Sequence, residues 1–211
     1  MNENKKHIED IAEIRNLMEK SSKFISLSGL SGILAGVFAL IGSITSYWYI
    51  NISYPKLSNP IFLKSLSIEN ESKILLILLA FLIFILAFGT AVYFTTKNRK
   101  NKSSKLWNYS SKKVVGNLFI PLSIGAIFIS YLILNNYCEL IVPSSLIFYG
   151  LSLINAGHFT FSDIKYLGLL ELITGCFSLI FIDYYLLFWS IGFGALHIIY
   201  GILMYIKYER K

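Results

Sequence analysis

The stretch Asp163–Ile182, DIKYLGLLELITGCFSLIFI, decides the fold, because it is apolar over the length of a membrane-spanning helix and carries an acid, Glu171, near its middle. Wound as a helix, it places Gly168, Glu171, Gly175 and Ser178 on one narrow stripe. Tyr166, Leu169, Leu170, Ile173, Phe177 and Ile180 cover the remainder. The pattern predicts a helix that turns its small, polar stripe to other helices and its bulk to lipid.

The whole chain has the same character. With 55% hydrophobic and 15% charged residues and a mean hydropathy of +0.61, it is too apolar for a soluble domain of 211 residues. Backbone amides have no water partner in hydrocarbon, so spanning segments must be helices or a closed barrel, and long apolar runs without alternation select helices. The first such run begins near Phe24, after a charged leader with no small-residue cleavage pattern, and is expected to be a retained span. The two cysteines, Cys138 and Cys176, fall at different depths, which argues against a disulfide framework or a Cys-rich metal site.

The expected fold is all-α: a polytopic bundle of six transmembrane helices behind a short N-terminal amphipathic helix. Residues 1–23 form that cytoplasmic leader, with Ile8, Ile11, Ile14 and Met18 at helical spacing among charges. The transmembrane domain follows over 24–211, with spans at about 24–50, 73–96, 113–134, 140–160, 164–182 and 185–206. Asn135–Glu139 reads as a polar break, Ser162 and Asp163 as an N-cap for the fifth span, and Asp183 as one for the sixth. Pro143 suits a helix start, and Pro121 predicts a kink in the third span.

Charge sets the orientation. Of the 19 Lys and Arg, only Lys56, Lys64 and Lys73 fall on the side away from the N-terminus, so both termini are expected to be cytoplasmic. The net charge of +7 is concentrated in the string from Lys97 to Lys113, which joins two spans. Attraction to anionic lipid accounts for it, and nucleic-acid binding is set aside.

Within lipid, helices associate through close backbone approach and dispersion, and small residues mark the contact. In the first span Ser28, Gly32, Ala35, Ala39, Gly42 and Ser46 recur at steps of four and three, and Gly32 and Gly36 make a GxxxG pair. This helix is expected to be central. Ser190, Gly194, His197 and Gly201 repeat the idea in the sixth span, and Gly168 and Gly175 in the fifth. The second span, rich in Leu, Ile and Phe, is expected at the periphery.

Three strings, Asp10–Arg15 (DIAEIR), Ser26–Gly32 (SLSGLSG) and Trp189–Gly201 (WSIGFGALHIIYG), resemble a group of uncharacterised bacterial membrane proteins. The resemblance spreads over most of the chain and implies a six-helix protein of the bacterial inner membrane. It brings no activity and no functional residue.

An ionisable group in a span costs roughly 2.5–3.5 kcal/mol on insertion scales, so each asks for a partner or a purpose. Counting along the helices, Asn117, Asn155, Glu171 and His197 fall in the half of the membrane nearer the termini, with His158 closer to the surface. Together they form a candidate polar cluster. It suits a proton or cation path, a divalent metal site without any HExxH motif, or a packing device for the last three helices. There is no nucleophile–base motif and no phosphate loop, so an enzyme is not expected, nor a cofactor or metal. The preferred reading is a structural or regulatory membrane component, with a small transporter or channel as the alternative. Membrane lipid is the expected partner, and a protein partner or second copy stays open.

Overall fold

The computed structural model describes residues 28–53, 70–99 and 109–210. The leader over 1–23, the loop after the first span and most of the basic string lie outside them. The described chain runs through α1 (Gly29–Ser53), α2 (Asn70–Arg99), α3 (Tyr109–Leu134), α4 (Ile141–Ala156) and α5 (Asp163–Ile180). It ends in one continuous run, the closing helix. There α6 (Tyr185–Trp189) and α7 (His197–Met204) are joined by a π-helical segment, Ser190–Leu196, and a second π segment, Tyr205–Glu209, completes the run. Among the described residues there is no strand.

Five of the helices are long and apolar enough to cross a membrane: Gly29–Ile52, Ile74–Phe94, Lys112–Leu134, Cys138–Ala156 and Ile182–Glu209. The sixth, α5, stands apart from them because Asp163, Lys165 and Glu171 all fall within its 18 residues.

The helices pack in the order α2, α1, closing helix, α5, α4, α3. On the far side the rings of Phe88 and Phe119 meet edge to face at 6.5 Å and bring α2 and α3 together. The hub is the closing helix, and this corrects the expectation for α1, which lies between α2 and the closing helix. None of the apolar window of α2 is buried, in keeping with a composition dominated by Leu, Ile and Phe.

Glycines set the two tightest seams. A Cβ on Gly32 would stand 3.2 Å from the Gly201 Cα, and one on Gly36 would stand 2.6 Å from the Gly194 carbonyl oxygen. Ser28 is buried beside them at the start of α1, Ser43 Oγ lies 2.6 Å from Ser190 Oγ, and the Gly29 N–H donates to Glu209 Oε1 at 2.6 Å. Gly42 faces elsewhere, against Ile83 of α2, so the small residues of α1 serve two neighbours and not one continuous seam. In the second seam Gly150 of α4 and Gly168 of α5 face each other, each Cβ position within 2.7 Å of the other residue's carbonyl oxygen. Gly175 continues it against Ile147. Without a hydrophobic gain between helices in lipid, such close approach is where affinity arises.

The connections are partly as expected. The break at Asn135–Glu139 is a left-handed helix cap: Asn136 adopts φ 60°, Tyr137 N–H donates to the Leu132 carbonyl at 2.9 Å and Asn136 N–H to that of Ile133 at 3.2 Å. A 3-10 turn, Cys138–Leu140, follows. Ser162 makes no side-chain cap, since its backbone is already helical (φ −61°, ψ −26°) where a capping residue is extended. Asp183 sits inside another 3-10 turn, Ile182–Tyr184, and α6 starts beyond it. Pro121 lies buried within α3, which runs on from Tyr109 to Leu134.

Candidate functional site

On α5 the residues Gly168, Glu171, Gly175 and Ser178 are buried, while Tyr166, Leu169, Leu170, Ile173, Phe177 and Ile180 are exposed. Burial of the stripe against α4 leaves Glu171 aimed at the closing helix, with no exposed surface. Its Oε1 lies 3.1 Å from His197 Nδ1.

The imidazole decides how that contact works. Gly192 O lies 3.2 Å from Nδ1, and because a carbonyl only accepts, the Nδ1 hydrogen is donated to it. In the neutral ring Nε2 is then the acceptor, and the Tyr149 hydroxyl donates to it at 2.8 Å. Glu171 is in electrostatic contact with the ring without an aligned hydrogen bond, and both its carboxyl oxygens lack a hydrogen-bond partner among the described residues. The Tyr149 and His197 rings stack at 5.4 Å, with Phe193 against Tyr149 at 5.4 Å and Trp189 against Phe193 at 4.7 Å.

Two local features make the approach feasible. A Cβ on Gly192 would stand 2.7 Å from Glu171 Oε2, so the carboxylate occupies space that the glycine leaves open and would have to shift for any larger residue there. Gly192 also lies in the π segment, a widened turn of the kind found mostly at special sites. One glycine of that segment, Gly192, faces Glu171 and Leu146; the other, Gly194, faces Leu40 and Gly36 of α1. The hub helix thus presents bare backbone to both halves of the bundle.

Of the five residues of the expected cluster, Glu171 and His197 come together. Asn117 spends its amide on its own helix, donating to the Lys113 carbonyl at 2.8 Å. Asn155 and His158 are exposed, and Lys165 Nζ donates to His158 Nδ1 at 3.0 Å. The convergence of five is corrected to a pair, because depth along a helix says nothing of azimuth. Tyr149 and Gly192 were not singled out from the sequence. Tyr149 falls on the α4 face that carries Leu146, Gly150 and Leu153, all buried, and that spacing was a usable signal. The π segment that turns Gly192 has none.

A second polar group ties the chain at the termini end of the bundle. Lys207 Nζ donates to both oxygens of Asp163 at 3.0 Å and the Tyr208 hydroxyl to Oδ2 at 2.8 Å. Partial burial acts to raise the Asp163 pKa, but the hydrogen bonds from Lys207 and Tyr208 outweigh it and hold the carboxyl below its usual range. A carboxyl lowered on folding stabilises the native state above its unfolded value, near 4, and the contribution is lost as pH falls through the lowered value. An Asp163→Asn protein is therefore expected to melt below the wild type at neutral pH and to converge with it in acid. Melting curves across pH 2–7 check this, and a constant difference sinks it.

Among the described residues no group of three or more His, Cys, Asp and Glu is placed to hold a metal ion. A cavity of about 140 Å³ opens near the far end of the bundle, and neither Glu171 nor His197 lines it. These features define an all-helical protein with five helices of membrane-crossing length and a buried Glu171–His197 contact, extended by Tyr149, on its closing helix. No protein-family model matches the chain, and neither does any curated protein or solved structure.

Proposed function

We propose that this chain is an integral membrane protein of the structural or regulatory kind, a six-helix bundle in a bacterial inner membrane with both termini cytoplasmic. Five helices of spanning length support the membrane setting. The lysine and arginine distribution supports the orientation, and the three resembling strings support the bacterial one. In this reading α5 crosses with the others, its acid shielded by the hub.

One observation carries the functional part: the Glu171 carboxylate touches His197 yet has no exposed surface. A translocation path needs access to its polar centre from at least one side, and a packing device needs none. Glu171, His197 and Tyr149 act as a polar lock that fixes α4, α5 and the closing helix in register, as interhelical polar contacts do in lipid.

The contiguous Glu–His–Tyr chain is the one feature that favours proton handling, so proton flux is the test. Reconstituted into vesicles with an internal pH dye, the protein is expected to leave the decay of an imposed pH gradient unchanged from protein-free vesicles. A flux that disappears in a folded Glu171→Gln protein would replace the lock with a relay.

A further inference from the structure

The cavity of about 140 Å³ lies between α1, α2 and the starts of α4 and α6, far from the polar lock. Its walls are apolar: Ile50 of α1, Leu76, Ile77 and Ala80 of α2, and Val142 of α4. Ile83, packed on Gly42, also lines it. From Gly42 to Ile50 the α1 wall rises roughly 12 Å at 1.5 Å per residue. A cavity of this size, lined by aliphatic side chains, accepts a benzene-sized body.

The lining is not uniformly apolar. Glu139, a carboxylate-bearing residue in the 3-10 turn that precedes α4, is among its lining residues, as are the aromatic Tyr185 and Trp189 of α6. Among the described residues that carboxylate has no ion pair. An acid and aromatic faces around an apolar slot meet the three needs of one chemical class. The carboxylate balances a positive charge, the rings stabilise it through their quadrupoles, and the aliphatic walls take an apolar body.

We propose that this cavity binds a monovalent organic cation with an apolar body, its ammonium group held by Glu139 with Tyr185 and Trp189, its body seated between α1 and α2. The site stands independently of the Glu171 lock and goes beyond the structural reading. An ammonium-bearing lipid headgroup and a free hydrophobic amine offer the same chemistry.

The probe is benzyltrimethylammonium, compared with its neutral isostere neopentylbenzene, on full-length protein in a maltoside detergent that carries no ammonium. Ligand-observed NMR reads binding. The expected result is that the cation binds at least tenfold more tightly than the isostere. Glu139→Gln should abolish that preference, and Ala80→Phe, which fills the slot, should remove both ligands. Equal affinity for the two probes in the wild type overturns the proposal without recourse to any variant, as does an undiminished preference in a folded Glu139→Gln protein. Displacement of the probe by added phosphatidylethanolamine assigns the site to a lipid headgroup, and retention assigns it to a free amine. Either result keeps the site and names its source.

Discussion

A Gly201→Ala protein is expected to lose about 1–3 kcal/mol of stability, the cost of overpacking a close contact, and Gly201→Leu more. The added Cβ would stand 2.5 Å from the Ile33 amide nitrogen and 2.7 Å from the Gly29 carbonyl oxygen. Both are main-chain atoms of α1, so no rotamer change relieves the clash and the two helices must move apart. That movement also stretches the Gly36–Gly194 approach and the Ser43–Ser190 hydrogen bond along the same seam. Gly116→Ala is the matched control. Nothing lies within 4 Å of its Cβ position, so the helix gains the propensity difference of up to about 1 kcal/mol. Thermal melts of the two variants in detergent check the pair; equal shifts would mean that close approach at Gly201 contributes nothing.

The second large effect concerns the lock. His197→Phe keeps a ring in place but removes the acceptor of the Tyr149 hydroxyl, which is left without a partner, and takes from Glu171 the ring its carboxyl touches. At about 1–3 kcal/mol for a polar group so stranded, the expected loss is of that size. Replacing all three members together, Glu171→Met with His197→Phe and Tyr149→Phe, removes the hydroxyl and the carboxyl along with the ring they met and roughly keeps the volume. The triple variant is therefore expected to melt above the single one. A triple variant less stable than His197→Phe alone, yet still folded, contradicts a packing role.

Which parts of this were legible in the sequence follows from what sequence patterns encode. A helical stripe encodes azimuth on its own helix, and the division of α5 into a small buried face and a bulky exposed one follows from the 3.6-residue period. Close approach needs small residues, which is why Gly32, Gly36, Gly194 and Gly201 could be named in advance and do meet across one seam. The partner of a polar group is another matter. Asn117, Asn155, Glu171 and His197 shared a depth, but Asn117 turned back on its own backbone and Asn155 outward. The spacing of Tyr149 with Leu146 and Leu153 marks the face it lies on but not what its hydroxyl meets, and the π turn that presents Gly192 has no composition of its own. The N-caps failed for a related reason: Asp163 found a better partner in Lys207 and Tyr208, contributed by a segment 44 and 45 residues further along.

The seam between α1 and the closing helix also bears on how the chain is made. The Gly29 amide and the Glu209 carboxylate that accepts from it are 180 residues apart. At about 5–20 residues per second of synthesis, α1 emerges on the order of 10–40 s before the group that completes its end. Through that interval Gly29, Gly32 and Gly36 present bare backbone to whatever surrounds the nascent chain. The α1 seam can then form only once the closing helix has been made, and a ribosome stalled before residue 190 leaves α1 without that neighbour.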